Sequence, residues 1–255
     1  MVPSLFLAHG SPMLAIEDTE YSAFLGELGR SIRPKAIVIF TAHWESETLT
    51  ISAIDGVYDT IYDFYGFPKE LYEVKYPTKG STALASSLAE RFAAAGIPVQ
   101  KDTKRGLDHG SWTLLHRLYP EADIPVVQVS VNPNLPPAEQ YAIGQALRDL
   151  GKADILVIGS GVTVHNLRIL KWGQTVPEPW AVRFDDWLID RLQNHDTTAL
   201  FRYEELAPDA RLAVPRAEHF VPLLIAMGSG DPESVPEVIY RNYEAGNLSY
   251  LCLKF

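Results

Sequence analysis

The sequence predicts a single-domain α/β sandwich with a mostly parallel, mixed central sheet flanked by helices. Three observations lead there. Short apolar runs, partly β-branched, alternate along the chain with longer segments of helical period. Helix start and stop residues punctuate several of the longer segments. The 255 residues are 47% hydrophobic and 21% charged, which is enough apolar material for one large core and excludes a disordered or collagen-like chain.

In chain order, Ser4–Ala8 and Lys35–Phe40 read as buried strands because they are short and apolar. Leu49–Ile54 alternates in polarity, as a strand with one wetter face does, and the hairpin-like stretch Leu49–Tyr76 predicts that the sheet is mixed. Ser81–Ala95 is rich in Ala and Leu, opens on Ser and stops at Gly96, which predicts a helix. Ile97–Lys101 reads as the next strand, Ser111–Tyr119 as a short helix closed by Pro120, and Pro125–Val131 as a strand. Pro137–Leu150 has proline at its start and Gly151 after its end, the usual helix asymmetry. Asp154–Gly159 reads as a buried strand. Trp180–Gln193 is an amphipathic helix carried by Trp180, Phe184, Trp187, Leu188 and Leu192. Glu218–Met227 reads as a helix and Leu248–Leu253 as a closing strand.

Composition narrows the function classes. The net charge is −10 and no run of Lys or Arg occurs, so nucleic acid and anionic membrane are not expected partners. No segment approaches the ~18 apolar residues of a membrane span. The N-terminal run lacks the basic flank and length of a signal peptide. Cys252 is the only cysteine, which rules out an internal disulfide and a thiolate cluster within one chain and suits a reducing cytoplasm. The sequence is compatible with a homo-oligomer and does not specify one.

Histidine placement carries the functional signal. His9, His43 and His165 each fall just after a predicted buried strand, at the sheet edge where open α/β folds bind ligands. His109 precedes a predicted helix and His219 stands at the start of another. A lone histidine after a strand is usually a turn residue, but three at one edge point to a shared metal site, imidazole being the commonest metal-binding side chain. His116, on a helix, and His195, in a polar loop, read as ordinary residues. No H-E-x-x-H motif occurs, so the ligands must be assembled from distant segments. Three neutral imidazoles would leave a divalent metal its full charge and open positions, which suits hydrolysis on zinc or oxygen activation on iron.

Five blocks occur in order: His9-Gly10-Ser11-Pro12, Ala42-His43-Trp44, Asp108-His109-Gly110-Ser111-Trp112, Val164-His165-Asn166-Leu167 and Glu218-His219. Together they resemble the class III, protocatechuate 4,5-dioxygenase-like, extradiol ring-cleavage dioxygenases, and within them the 4,5-DOPA dioxygenase branch. The resemblance runs from His9 to the last strand. It implies a non-haem Fe(II) enzyme that opens the ring of a small catechol with O2. It also implies that His9 and His43 are metal ligands, and that His219 stands where better-known relatives use a glutamate ligand. His165 matches the acid/base histidine, which in resting forms can also approach or coordinate the metal. His109 matches a second pocket histidine that contacts substrate or dioxygen. Replacement of the carboxylate by His219 makes an all-His set, with Glu218 beside it as an alternative carboxylate. Such a set also accepts Zn(II), which outranks Fe(II) in intrinsic affinity, so purified protein could carry zinc while iron serves activity.

Several residues keep two readings. Ser11, Ser160 and Asn166 are candidates to hydrogen-bond substrate, and Trp44 and Trp112 either line the pocket or pack the core. Seven aromatic residues between Tyr58 and Tyr76 read as a wall over a planar substrate or as a loop packed on itself. Gly159-Ser160-Gly161 lacks the dinucleotide pattern, because position 164 is Val, and reads as a tight turn that delivers His165. The competing functions are a zinc hydrolase using Glu45, Asp108 or Glu218 as base, and a non-catalytic binding protein.

Overall fold

A computed structural model describes residues 2–255. The elements are β1 (Ser4–Ala8), α1 (Glu20–Ser31), β2 (Ala36–Glu45), β3 (Leu49–Ser52), α2 (Thr82–Ala94), β4 (Val99–Asp102), α3 (His109–Leu118), β5 (Val126–Val131), α4 (Pro137–Gln145), β6 (Ile155–Gly161) and α5 (Pro179–Gln193). Three four-residue helical turns follow, α6 (Thr197–Leu200), α7 (Tyr203–Leu206) and α8 (Ala210–Ala213). The chain closes with α9 (Val221–Ser229), β7 (Glu237–Tyr240), β8 (Tyr243–Glu244), β9 (Leu248–Ser249) and β10 (Cys252–Lys254).

Among the described residues, eight strands form one sheet in the order β4-β3-β5-β2-β6-β1-β10-β7. Its centre is parallel: β5, β2, β6 and β1 run the same way. The expected mixed character is present, from a different source. No hairpin forms over 49–76. Instead β3 runs antiparallel to β5, and β10 runs antiparallel to both β1 and β7.

Period-2 alternation splits the strands between two helical layers. Leu5 and Leu7 of β1 and Ile37 and Ile39 of β2 face Tyr21 and Leu25 of α1 and Trp112 and Leu115 of α3. On the other face, Phe6 packs with Phe184 of α5 and Leu224 of α9, while Val38 and Phe40 pack with Leu88 of α2 and Ile143 of α4. All of these aliphatic and aromatic strand residues are fully buried, each contributing about 1.5–3 kcal/mol of transfer free energy.

The structure departs from the sequence expectation at several elements. Helix α1 was not anticipated, because Gly26 and Gly29 lower its propensity. It forms through a Thr19–Ser22 capping box and through close packing on α3. A Cβ at Gly29 would come within 1.9 Å of the Leu118 carbonyl oxygen, so glycine lets the two helices approach. Strand β2 runs to Glu45, so His43 lies inside the strand, on the stretch where its register with β5 breaks, rather than beyond its end. The predicted 137–150 helix stops at Gln145 and resumes as a 3-10 turn at Leu150–Ala153. The predicted closing strand is divided between β9 and β10. Gly159 and Gly161 are strand residues, not a turn, and their bare backbones admit the carbonyls of Pro222 and His219 at 2.2 Å from where each Cβ would stand. No helix among the described residues is long and apolar enough to cross a membrane.

The result that positions the site is simple. Strands β2, β6 and β1 are adjacent and parallel, so their C-terminal ends share one edge.

Candidate metal centre

His9 is the residue after β1 and is buried. Its backbone N–H bonds Gly161 O at 3.3 Å, which aligns it with the end of β6. Its ring Nδ1 lies 2.9 Å from Ser160 Oγ. The Ser160 hydroxyl hydrogen is donated to Gly110 O, so Ser160 must accept from His9 Nδ1–H. That leaves His9 Nε2 as a bare lone pair.

The same logic applies to His219. It ends a 3-10 turn, Ala217–His219, whose last carbonyl accepts Val162 N–H at 2.8 Å. Its Nδ1 lies 3.0 Å from Glu218 Oε1, so Glu218 as a carboxylate holds the Nδ1–H form and frees Nε2. His43 Nδ1 faces Asp63 Oδ2 at 3.4 Å. His43 Nε2 and His9 Nε2 are 3.1 Å apart. The bare His9 Nε2 accepts a hydrogen from His43 Nε2 at that distance in one tautomer of His43, and in the other the two lone pairs repel unless a cation lies between them. One ligand atom from each of His9, His43 and His219 falls within 4.8 Å of the others. The donor set therefore fits a divalent transition metal of the Zn or Fe type.

Two more imidazoles complete the cluster. His165 lies flat on His219, with ring centroids 3.6 Å apart and planes at 13°. His109, the first residue of α3, has its ring 3.9 Å from that of His43, centroid to centroid, and 5.7 Å from that of His9. Charge cannot accumulate here. Burial, reinforced by mutual repulsion among the rings, holds His9 and His219 well below the usual histidine value and lowers His43 as well. Burial and the neighbouring His109 lower His165 to about 4. At neutral pH these four present lone pairs, the form a metal ligand or a base requires.

The structure thus brings together all five histidines singled out in the sequence, and leaves out the two read as ordinary. His116 packs on Tyr76 in the core, and His195 takes a left-handed conformation after α5. The proposed substrate contacts fare differently. Ser160 reaches the centre through His9. Ser11 instead caps the 3-10 turn Pro12–Ala15. Asn166 spends its amide on Leu212 O and on the N–H of Arg168. Trp44 packs against the Arg105 guanidinium. Trp112 is fully buried, with its Nε1–H bonded to Ile61 O.

The aromatic stretch divides between core residues and a ring beside the histidines. Tyr58 and Tyr76 are core, with hydroxyls bonded to Val126 O and Tyr119 O. Phe64 turns its ring edge-on to His109 at 5.6 Å and sits in front of Trp112. Tyr65 is almost fully exposed.

Sequence reasoning missed Asp63, whose signal was a lone carboxylate between Tyr62 and Phe64 inside an aromatic loop. It lies 3.0 Å from His109 Nδ1 and 3.4 Å from His43 Nδ1. Burial works to raise its pKa, but contact with His109 and His43 outweighs burial and holds it below the usual carboxylate value. The three carboxylates offered as hydrolytic bases are engaged elsewhere. Glu45 is paired with Arg216, Asp108 accepts from Thr41 Oγ1 at 2.7 Å and faces Arg105, and Glu218 supports His219.

Comparison with known proteins gives the family. The family model described as the catalytic LigB subunit of aromatic ring-opening dioxygenase matches residues 3–252. A Beta vulgaris protein named 4,5-DOPA dioxygenase extradiol is 42% identical over 257 residues, covering 99% of this chain and 96% of its own. Its namesake from Escherichia coli (strain K12) is 37% identical over 261 residues, covering 99% and 94%. The crystal structure of an uncharacterized protein from Escherichia coli K12 matches with a TM-score of 0.85 at 35% identity, over 100% of both chains.

Proposed function

The chain belongs to the LigB family of aromatic ring-opening dioxygenases, and from that premise we propose that it cleaves a DOPA-like catechol outside its two hydroxyls, with His9, His43 and His219 holding Fe(II). It is a metal-dependent extradiol dioxygenase acting with O2 on a small aromatic substrate. The DOPA-like substrate is taken from the names of the relatives. The observation that carries the ligand assignment is the facing pair of Nε2 atoms on His9 and His43, 3.1 Å apart, with His219 beside them.

Bound iron supplies Lewis acidity and a route for electrons from catechol to O2. The protein supplies position and protons. His165, neutral at pH 7 because burial holds it near 4, takes the proton of a catechol hydroxyl. Its contact with His219 keeps it beside the ligand set. His109 stands across the cluster as a second proton carrier, with the Asp63 carboxylate at its back. Phe64 offers a ring edge to a planar substrate. Ser160 and Glu218 hold His9 and His219 in the tautomer that ligates. Burial of His9, His109 and His219 keeps bulk water from the reacting centre. The lone Cys252 is buried, and a reducing cytoplasm is the compartment we assign.

The test is anaerobic reconstitution of apo-protein with Fe(II) and, in parallel, Zn(II), followed by DOPA or simpler catechols and admission of oxygen. Stoichiometric O2 uptake with a yellow product, in the iron sample alone, is the expected result. Bound metal without O2 uptake on any catechol rejects the reading.

A further inference from the structure

Asp63 touches two histidines with different duties. Its Oδ2 faces the Nδ1 of His43, a proposed ligand, at 3.4 Å. Its Oδ1 lies 3.0 Å from the Nδ1 of His109, a proposed proton carrier, and also accepts the His109 backbone N–H at 3.0 Å. The buried His109 Nδ1 makes no aligned hydrogen bond, and the Asp63 carboxylate 3.0 Å away is the acidic group that faces it. A carboxylate oxygen has only lone pairs to offer, so a ring nitrogen that settles against it carries the proton. In a neutral imidazole the other nitrogen is then bare. For His43 that nitrogen is the Nε2 turned toward His9. For His109 it is the acceptor left for a substrate proton.

We propose that Asp63 is a positioning residue that sets the tautomer of His43 and His109 together, so that one carboxylate prepares both a metal ligand and a proton carrier. The proposal rests on the ligand and proton-carrier assignments above. The placement of Asp63 adds a consequence. It stands next to Phe64, whose ring meets His109, so the loop segment that offers a ring to the substrate also orients the two imidazoles. A substrate that displaces Phe64 therefore acts on the tautomer-setting group. Asp63, His43 and His109 are also close enough to share a metal ion themselves. A metal held there through the two Nδ1 atoms would leave no proton on either of them, so the spectrum that tests the proposal also separates the two arrangements.

Long-range 1H–15N spectra of the zinc-loaded wild-type protein are expected to show His43 and His109 protonated at Nδ1. Asp63→Asn keeps the size of the side chain but can turn an amide N–H toward either ring, which rewards the opposite tautomer. In that variant kcat with iron falls about 100-fold with KM near the wild-type value. Zinc affinity, from chelator competition, weakens by about tenfold or less, because the contact to His43 is the longer one. Asp63→Glu recovers most of kcat. A wild-type spectrum with either ring protonated at Nε2 overturns the proposal, as does an Asn variant with wild-type kcat. Complete loss of zinc from a folded Asn variant makes Asp63 a ligand and also overturns it. The wild-type spectrum decides the matter even where the variants fail to fold. It is independent of turnover, so wild-type protein that lacks oxygenase activity but shows both Nδ1 protons refutes the assigned function alone.

Discussion

The His165 imidazole lies flat on that of His219, centroids 3.6 Å apart and planes 13° from parallel. The two rings come from different segments, one following β6 and the other preceding α9. Neutral rings stack in this way at little cost, whereas two imidazolium rings would repel in a dry site. The contact therefore ties the position of the proposed base to that of the proposed metal ligand and opposes charge on both. Arginine–carboxylate pairs elsewhere on the surface, such as Arg183–Asp209, contribute little by comparison.

Removing the base should separate chemistry from metal binding. His165→Ala is expected to lower kcat by about 10²–10⁴-fold, the usual worth of a general acid or base, while iron content stays at the wild-type level. Oxygen uptake and metal analysis on one preparation check both. Loss of the metal in this variant places His165 among the ligands.

Ser160 holds His9, a proposed metal ligand. Ser160→Ala deletes the acceptor of His9 Nδ1–H and leaves the His9 ring free to adopt either tautomer. Metal affinity should weaken about 10–100-fold, and the melting temperature of the apo-protein should fall modestly because the buried His9 Nδ1–H loses its acceptor, at a cost of about 1–3 kcal/mol. Competition against a chromophoric chelator measures it. Unchanged affinity shows that the fold alone orients His9.

Phe64 is the aromatic residue turned to the site, in contrast with the core residues Tyr58 and Tyr76. Phe64→Ala should raise the KM for catechol several-fold, in line with the ~0.5–1.5 kcal/mol of an aromatic pair, with an unaltered circular dichroism spectrum. Tyr58→Ala should instead lower the melting temperature, since it opens a core cavity and leaves the Ser52 O–H without the Tyr58 oxygen that accepts it. Equal KM values for wild type and the Phe64 variant dismiss the ring as a substrate contact.

The histidine cluster also sets a pH dependence of stability. In the unfolded chain these rings protonate near pH 6.5. In the folded apo-protein burial, first, and mutual repulsion keep His9, His43 and His219 neutral far below that, and His165 down to about 4. Between those limits the unfolded state binds more protons than the native state, so stability rises with pH. The melting temperature of metal-free protein should be level above about pH 7 and fall as pH drops from about 6.5 toward 4. Calorimetry across that range is the check, and His165→Ala should flatten part of the slope. A constant melting temperature from pH 7 to 5 shows that the cluster takes up protons while folded.

Much of the fold could be read locally. The strand Ser4–Ala8 was legible to the residue because a short apolar run bounded by polar or small residues has one good use in an α/β chain. Helix α2 was legible from Ser81, whose hydroxyl accepts Leu84 N–H, and from Gly96, which has the positive φ of a helix stop. Helix α1 was not, because its glycines count against it locally and are explained by Leu118, far away in sequence. The same contrast holds in the site. His9 and His165 follow strands visible in the sequence, but Asp63 gains its meaning from His43 and His109, which the chain alone does not bring to it.

Local patterning set most strands and helices, β1 and α2 among them, and put His9 and His165 just past two strands and His43 near the end of a third. Those are local facts, set by polarity period, capping residues and turn chemistry. The side-by-side placement of β2, β6 and β1 comes from long-range pairing, and it brings residues 9, 43, 109, 165 and 219 to one edge. Tertiary packing set Ser160, Glu218 and Asp63 against the Nδ1 atoms of His9, His219, His43 and His109. It also decided the charge, because an imidazole is neutral at pH 7 with any security only when burial and like neighbours make the proton costly.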